Sequence, residues 1–222
     1  MYPNNKDTSL ETLKEIRSIM DRSARFLSLS GWSGIWAGCT ALAGAGVAYN
    51  WLLQLPSQNN TYKLLPSPEQ HETYATTMLR FLILAIIVFI VALAGGYFFT
   101  QRRAKEEGQP VWNTASKLMF IQIAIPLVAG SIFSLGFLYY GHVIYIAPAC
   151  LVFYGLALIN GSKYTISDIR YLGLLEVTLG CINQFLPGYG LYFWAVGFGI
   201  LHILYGIIMW NKYEKKRPIV QG

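Results

Sequence analysis

Charged side chains and histidines are scarce in this 222-residue chain, and each shortage excludes a class of function. Only 13% of the residues are charged and only 11 are Asp or Glu, whereas 54% are hydrophobic and the mean hydropathy is +0.40. Such a composition is typical of a protein whose apolar surface is solvated by lipid. The three histidines, His71, His142 and His202, are too few to ligate the metal of di-iron membrane oxygenases, desaturases or four-histidine carotenoid-cleaving enzymes.

Cysteine is equally rare, and the common catalytic motifs are missing. Cys39, Cys150 and Cys181 all lie within apolar runs and form no CxxC motif, which indicates neither a disulfide framework nor a zinc site. We interpret them as small core residues. The sequence contains no GxSxG, HExxH or Walker loop, and His142 and His202 lie at different depths, which excludes a bis-histidine haem. We therefore expect no catalytic residue, no metal site and no cofactor.

Six apolar segments have the length of membrane-spanning helices. About 20 apolar residues are needed to cross a hydrocarbon core of ~30 Å. The sequence predicts spans at about 31–54, 76–100, 114–139, 143–160, 168–187 and 190–210. The predicted fold class is all-α, a polytopic transmembrane helical bundle of six spans that occupies residues 30–211. Pro126 and Pro148, within the third and fourth spans, predict kinks in these helices.

A charged, periodic stretch precedes the first span. Within residues 7–28 apolar side chains recur at helical spacing, whereas Lys14, Arg17 and Arg25 fall on the other face. We predict that residues 1–29 form an amphipathic helix. It lies on the cytoplasmic surface of the lipid bilayer, or it docks onto a cytoplasmic protein partner through these bases. Residues 212–222 are predicted to form a basic cytoplasmic tail.

The distribution of basic residues predicts the orientation. All 17 Lys and Arg residues except Lys63 and Arg80 fall on one side of the six-span arrangement. Because basic residues concentrate on the cytoplasmic side of membrane proteins, both termini should be cytoplasmic. The net charge of +6 is thereby explained without nucleic acid, which we do not expect as a partner.

Polar residues at membrane depth mark a candidate site. Glu176 lies about eight residues from the cytoplasmic start of the fifth span and His202 about eight residues from the cytoplasmic end of the sixth, so both should lie ~12 Å deep. Consecutive spans joined by a short turn are antiparallel neighbours, which predicts a contact between the two side chains. Gln122 and Tyr154 fall in or near the same layer, and Asn183 shares a helix face with Glu176. Ionisable groups that face lipid cost several kcal/mol, so they usually turn inward.

Two interpretations of this layer remain open. It is a ligand or proton site of a small transporter or receptor, or it is a buried hydrogen-bond cluster that fixes helix packing in a sensor, regulatory or assembly module without enzymatic activity. The sequence favours the second. Lys163 and Tyr164, in the turn after the fourth span, belong to a hydrogen-bonded turn in which Ser167 or Asp168 caps the next helix, or to a partner-facing surface. Besides the lipid bilayer and a cytoplasmic protein, a second copy of the chain is an open alternative as partner.

Two segments carry a resemblance to a known family. They are YGLALINGSKYTISDIRYLGLLE (154–176) and WAVGFGILHILYGIIM (194–209). Both resemble an uncharacterised family of small multi-span membrane proteins of Bacteroidetes, and the resemblance extends over most of the chain from about Ser30. Members are sometimes labelled beta-carotene monooxygenase, a label that the histidine count contradicts. The resemblance implies a multi-pass protein of the bacterial inner membrane, and it implies no particular activity.

Overall fold

The computed structural model describes residues 30–54, 68–108 and 110–215, and within these ranges the fold is all-helical. The predicted helix over residues 1–29, with Lys14, Arg17 and Arg25, lies outside the described residues, as do residues 216–222 of the tail. The helices are α1 (Gly31–Gln54), α2 (Pro68–Glu106), α3 (Thr114–Tyr139), α4 (Ile146–Gly161), α5 (Ile169–Gln184) and α6 (Gly190–Glu214). A 3-10 turn, Val143–Tyr145, leads into α4.

Four of the described helices are long and apolar enough to cross a membrane. They are Thr76–Glu106 within α2, α3, the stretch Val143–Gly161 that includes α4, and α6. The 16 residues of α5 extend about 24 Å, which is short of a ~30 Å hydrocarbon core. The 24 residues of α1 are long enough, but five glycines and several polar side chains lower its hydropathy. The described residues thus form a helical bundle with four candidate membrane spans.

The helices pack in a row with α1 and α6 near its middle. α1 and α6 run antiparallel and pack along most of their length, α2 lies against α1, α4 packs along α5, and α3 lies against α4. α5 and α6 are consecutive in the chain, yet they touch over only a short stretch. The outer helices α2 and α3 are each covered on one side, which leaves most of their apolar side chains exposed.

Glycines allow the closest helix crossings. A Cβ atom built on Gly206 of α6 would lie 2.6 Å from the carbonyl oxygen of Gly31 in α1. Between α4 and α5, a Cβ atom on Gly155 would lie 2.5 Å from the carbonyl oxygen of Gly173, and one on Gly173 would lie 2.7 Å from that of Gly155. Because the obstacles are backbone atoms, a larger side chain at these positions would force the helices apart.

The two prolines differ in their position. Pro126 lies in the interior of α3. Pro148 lies in the first turn of α4, which begins at Ile146, where the missing N–H group interrupts no α-helical hydrogen bond. The kink predicted at Pro148 is therefore wrong, because the short 3-10 turn sets the start of the helix just ahead of the proline.

Candidate functional site

Glu176 is completely buried where α5 faces α6. Its side chain is 0% exposed, and its Oε1 lies 3.4 Å from Nδ1 of His202, a residue that is itself only 6% exposed. The contact that the sequence predicts between these two side chains is therefore present. Because α5 packs mainly on α4 and α6 packs mainly on α1, this contact is one of those that join the α4–α5 pair to the α1–α6 pair.

His202 is held at both of its ring nitrogens. Nε2 lies 2.7 Å from the hydroxyl oxygen of Tyr154 in α4, and Nδ1 lies 3.0 Å from the carbonyl oxygen of Gly197. Because Nδ1 faces two acceptors, Gly197 and Glu176, we assign the proton of the neutral ring to Nδ1, and Nε2 then accepts a hydrogen bond from the Tyr154 hydroxyl. We call the three side chains Glu176, His202 and Tyr154 the polar chain.

The carboxyl group of Glu176 has spare hydrogen-bonding capacity. Among the described residues, neither of its oxygens accepts a hydrogen bond of good geometry, although both are buried. Oε2 lies against Gly197, where a Cβ atom would come within 2.5 Å of it and within 2.6 Å of Cδ2 of Leu151. Gly197 thus leaves space for the carboxyl group of Glu176 beside the side chain of Leu151.

α6 changes its winding beside the polar chain. Residues Ala195–Leu201 are π-helical, and wide turns of this kind are rare and occur often at functional sites. The carbonyl oxygen of Gly197, which belongs to this segment, lies 3.0 Å from the side-chain Nδ1 of His202. Sequence reasoning missed this turn, and Gly197 and Gly199 in a helix interior were its only signal, since glycine is unfavourable there unless packing requires it.

Asn183 lies on the same helix as Glu176 but at a different depth. It is 2% exposed, and its Nδ2 donates a hydrogen bond to the carbonyl oxygen of Leu186 at 3.3 Å. Its Oδ1 is buried and has no partner among the described residues. Seven residues separate it from Glu176, about 10 Å along the helix, so Asn183 does not contact the polar chain.

Gln122 does not join the site. It is half-buried on α3 and makes no hydrogen bond with any part of the chain that the structure describes. Among the described helices α3 packs mainly against α4, for example where Gly130 meets Phe153, which keeps Gln122 away from Glu176. The predicted place of Gln122 in the layer rested on depth alone, and depth does not determine which face of which helix a residue occupies.

The turn between α4 and α5 is held by an ion pair that the sequence did not predict. Asp168 does not cap α5 with its side chain. Its Oδ2 instead accepts hydrogen bonds from Nζ of Lys212 at 2.5 Å and from the hydroxyl of Tyr213 at 3.1 Å. Lys163 is exposed and Tyr164 is half-buried in the same turn.

A second polar network ties together the ends of three helices, and Glu214 is its centre. Glu214 Oε1 accepts hydrogen bonds from the backbone N–H of Gly31 at 2.6 Å and from Nη1 of Arg103 at 2.6 Å. Arg103, which is 7% exposed, also pairs with Glu107 at 2.9 Å. Glu214 is the only acidic residue in the predicted basic tail, which was the one sequence signal for this role.

Comparison of the chain with models of known protein families, with curated proteins and with solved structures finds no match. Within residues 30–54, 68–108 and 110–215, no group of three or more His, Cys, Asp or Glu side chains is arranged to hold a metal ion. The function is therefore inferred from the geometry of the polar chain.

Proposed function

We propose that the protein is a six-span sensor or regulatory module of the bacterial inner membrane, without enzymatic activity, that responds to protonation of the polar chain. The observation that carries the proposal is Glu176, a fully buried carboxyl group with free acceptor capacity 3.4 Å from an imidazole. Carboxyl and imidazole groups at membrane depth are typical of proton and ligand sites.

A change in protonation at this position acts on helix packing. A proton gained or lost by Glu176 alters its interaction with His202, and this contact joins the α4–α5 pair to the α1–α6 pair. Local charge changes of this kind become regulatory signals when they bias the packing of a movable element. The other titratable groups near the site are Tyr154 from α4, which hydrogen-bonds with His202, and Tyr205 from α6, which packs against the same apolar cluster as Tyr154. α1 meets α6 through Gly31, Gly34, Ile35 and Gly38, which do not titrate.

α1 and α5 are not candidate spans by length and composition alone, but their packing supports the six-span arrangement. α1 pairs with α6 from Gly31 beside Gly206 to Tyr49 beside Tyr192, whose ring centroids are 6.3 Å apart. A helix that accompanies a candidate span along its whole length is expected to share its place in the bilayer. α5 follows α4 in the same way through its glycine crossings.

The charge distribution supports cytoplasmic termini. We call the end of the bundle at which Gly31 meets Glu214 the basic end. The described basic residues near it greatly outnumber those at the other end. They include Arg102, Arg103, Lys105, Lys163, Lys212 and Lys215. By the positive-inside rule this end is cytoplasmic. The proposed regulatory partner of the module is a cytoplasmic protein that contacts this end.

Infrared spectroscopy tests the proton site. In purified protein in lipid nanodiscs, we expect a carboxylic acid C=O band that changes with pH and is lost in Glu176→Gln. Glu106→Gln is the matched control, because Glu106 is an exposed partner of Arg102. Size-exclusion chromatography and circular dichroism establish that each variant is folded. If folded wild-type protein and Glu176→Gln give the same pH-dependent spectra, Glu176 binds no proton and the proposal is wrong.

Cysteine labelling tests the topology. In a background in which Cys39, Cys150 and Cys181 are replaced by alanine, Lys163→Cys and Tyr140→Cys place single thiols at opposite ends of α4. A membrane-impermeant maleimide should label the second thiol in intact cells and the first only after the membrane is opened. Labelling of both thiols from the same side would contradict the six-span arrangement.

A small ligand receptor or transporter is the second candidate, and one groove favours it. An apolar groove of about 320 Å³ between α3, α4 and α5 is lined by aromatic side chains such as Phe133, Phe137 and Phe153. It includes Gly180, one turn from Glu176 on α5. Binding of an apolar ligand that is lost in Phe133→Ala but kept in Glu176→Gln would favour a receptor that uses the groove and not the polar chain.

A further inference from the structure

Tyr205 occupies the space between the polar chain and the basic end. It lies on α6 one turn beyond His202, and its hydroxyl is buried without a hydrogen-bond partner among the described residues. Tyr205 and Tyr154 pack against the same buried cluster of Leu158, Ile169 and Leu172. A buried hydroxyl without a partner is unusual, because burying such a group costs free energy.

Polar groups continue from Tyr205 to the surface. The apolar cluster against which Tyr205 packs includes Ile169, the residue next to Asp168. Asp168 accepts hydrogen bonds from Tyr213 at 3.1 Å and from Lys212 at 2.5 Å. The side chain of Lys212 is 54% exposed, so this end of the series is open to solvent. The order of groups from the surface inward is thus Asp168, Tyr205, Tyr154, His202 and Glu176.

We propose that this series is the path by which a proton reaches Glu176 from the basic end. The inference rests on the proposed function, in which Glu176 binds a proton, and adds the route and its direction. Asp168 takes the proton from water at the surface, Tyr205 is the intermediate relay, and Tyr154 and His202 deliver the proton to the carboxylate.

The transfer conserves protons, because one proton enters at Asp168 and one proton is gained by Glu176. Tyr154 gives its hydroxyl proton to Nε2 of His202, and Nδ1 gives its proton to Glu176, so the ring stays neutral and changes tautomer. Tyr154 regains a proton from the side of Tyr205, which is replenished through Asp168. Release runs the same steps backwards and restores the first tautomer. Tyr154 and Tyr205 form no direct hydrogen bond with each other, and neither do Tyr205 and Asp168, so a bridging water or rotation of the phenol completes each gap.

Among the described residues, the opposite direction from Glu176 lacks a comparable series of polar side chains. Oε2 of Glu176 meets Gly197 and Leu151 on that side, and Leu151 is completely buried. The next buried polar side chain of α5 is Asn183, which does not titrate. The geometry thus favours exchange with the basic end alone.

The rate of proton exchange tests the path separately from the proton site. The hydrogen–deuterium exchange of the Glu176 carboxyl band is followed in nanodiscs by time-resolved infrared spectroscopy after a jump in pH. We expect Tyr205→Phe to slow the exchange by about a hundredfold, the lower end of what a positioned proton-transfer group contributes, and to leave the final protonation of Glu176 unchanged. Tyr192→Phe, at the other end of α6, is the matched control and should exchange at the wild-type rate.

A second pair of variants keeps the test independent of folding defects at Tyr205. Asp168→Asn and Lys212→Gln both break the surface ion pair, but only the first removes the group that takes up the proton. Slow exchange in Asp168→Asn together with wild-type exchange in Lys212→Gln supports the path. Wild-type exchange in both Tyr205→Phe and Asp168→Asn overturns the path and leaves the proposed function intact. A Glu176 band that never responds to pH overturns both.

Discussion

The hydroxyl oxygen of Tyr154 lies 2.7 Å from Nε2 of His202. This contact joins α4 to α6 and fixes which imidazole nitrogen carries the proton. With Nε2 occupied as an acceptor, Nδ1 is directed at both Gly197 and Glu176. Tyr154 on α4 therefore determines that the protonated nitrogen of the imidazole faces the carboxyl group.

Removal of the Tyr154 hydroxyl should destabilise the protein. Tyr154→Phe leaves Nε2 of a buried imidazole without a partner, which costs about 1–3 kcal/mol. Tyr205→Phe removes a buried hydroxyl that has no partner, so it should leave stability unchanged or raise it. The free energy of unfolding in detergent, from denaturant titration followed by circular dichroism, checks both. Equal losses in the two variants would mean that the hydrogen bond contributes nothing.

Gly197→Ala should disturb Glu176 directly. Its Cβ atom would overlap Oε2 of Glu176 and Cδ2 of Leu151, and overpacking of a buried site costs about 1–3 kcal/mol. Gly96→Ala, in open space on α2, is the control and should be neutral or mildly stabilising, because alanine is the better helix former. The carboxyl band of Glu176 should also shift in Gly197→Ala. If the Glu176 carboxyl band and the free energy of unfolding are both unchanged in Gly197→Ala, α6 can move to accommodate the added methyl group.

Loss of Glu214 should weaken the basic end. Glu214→Gln reduces the interaction with buried Arg103 and with the N–H of Gly31, and hydrogen bonds to charged groups are each worth about 1.5–3 kcal/mol. Glu106→Gln breaks an exposed pair with Arg102, which is worth at most about 1 kcal/mol. Thermal unfolding at low and at high salt compares the two variants. A smaller loss in Glu214→Gln than in Glu106→Gln would contradict the role of this network.

The α1–α6 crossing should not tolerate an added methyl group. Gly206→Ala places a Cβ atom against backbone atoms of Gly31 and Ile35, at 2.6 Å and 2.7 Å, and these cannot move without separating the helices. Gly46→Ala on α1 meets nothing within 4 Å and serves as control. We expect a lower midpoint of thermal unfolding for the first variant only, by the few degrees that correspond to ~1–3 kcal/mol. Identical midpoints would show a loosely packed crossing.

Some of the fold follows from counting residues along apolar runs. The third span is predicted at 114–139, and α3 occupies Thr114–Tyr139, since a long apolar run between polar ends defines both limits. Counting also brings Glu176 and His202 to one level. The helix in the predicted fifth span is shorter than expected, because α5 ends at Gln184 before a turn in which Gly188 adopts a φ of 93°.

Other features depend on contacts that no local pattern contains. Glu214 and Gly31 are 183 residues apart, and helical periodicity gives no information on pairs so distant. The depth of Gln122 was estimated in the same way as that of Tyr154, but only Tyr154 faces α6. Which helix lies beside which is decided by the glycine crossings, so the neighbours of a polar residue were less predictable than its level.

The π-helical segment of α6 has a consequence for how the gene tolerates change. Wide turns accommodate an additional residue without shifting what lies before or after them. Deletion of one residue between Ala195 and Leu201 would therefore convert the segment towards α-helical winding and leave His202, Tyr205 and Glu214 on the same faces of α6. A deletion in the α-helical part of α6, between Ile203 and Met209, would instead rotate every later side chain by about 100°. A single-codon deletion should therefore be tolerated better within the π-helical segment than in the turns that follow it.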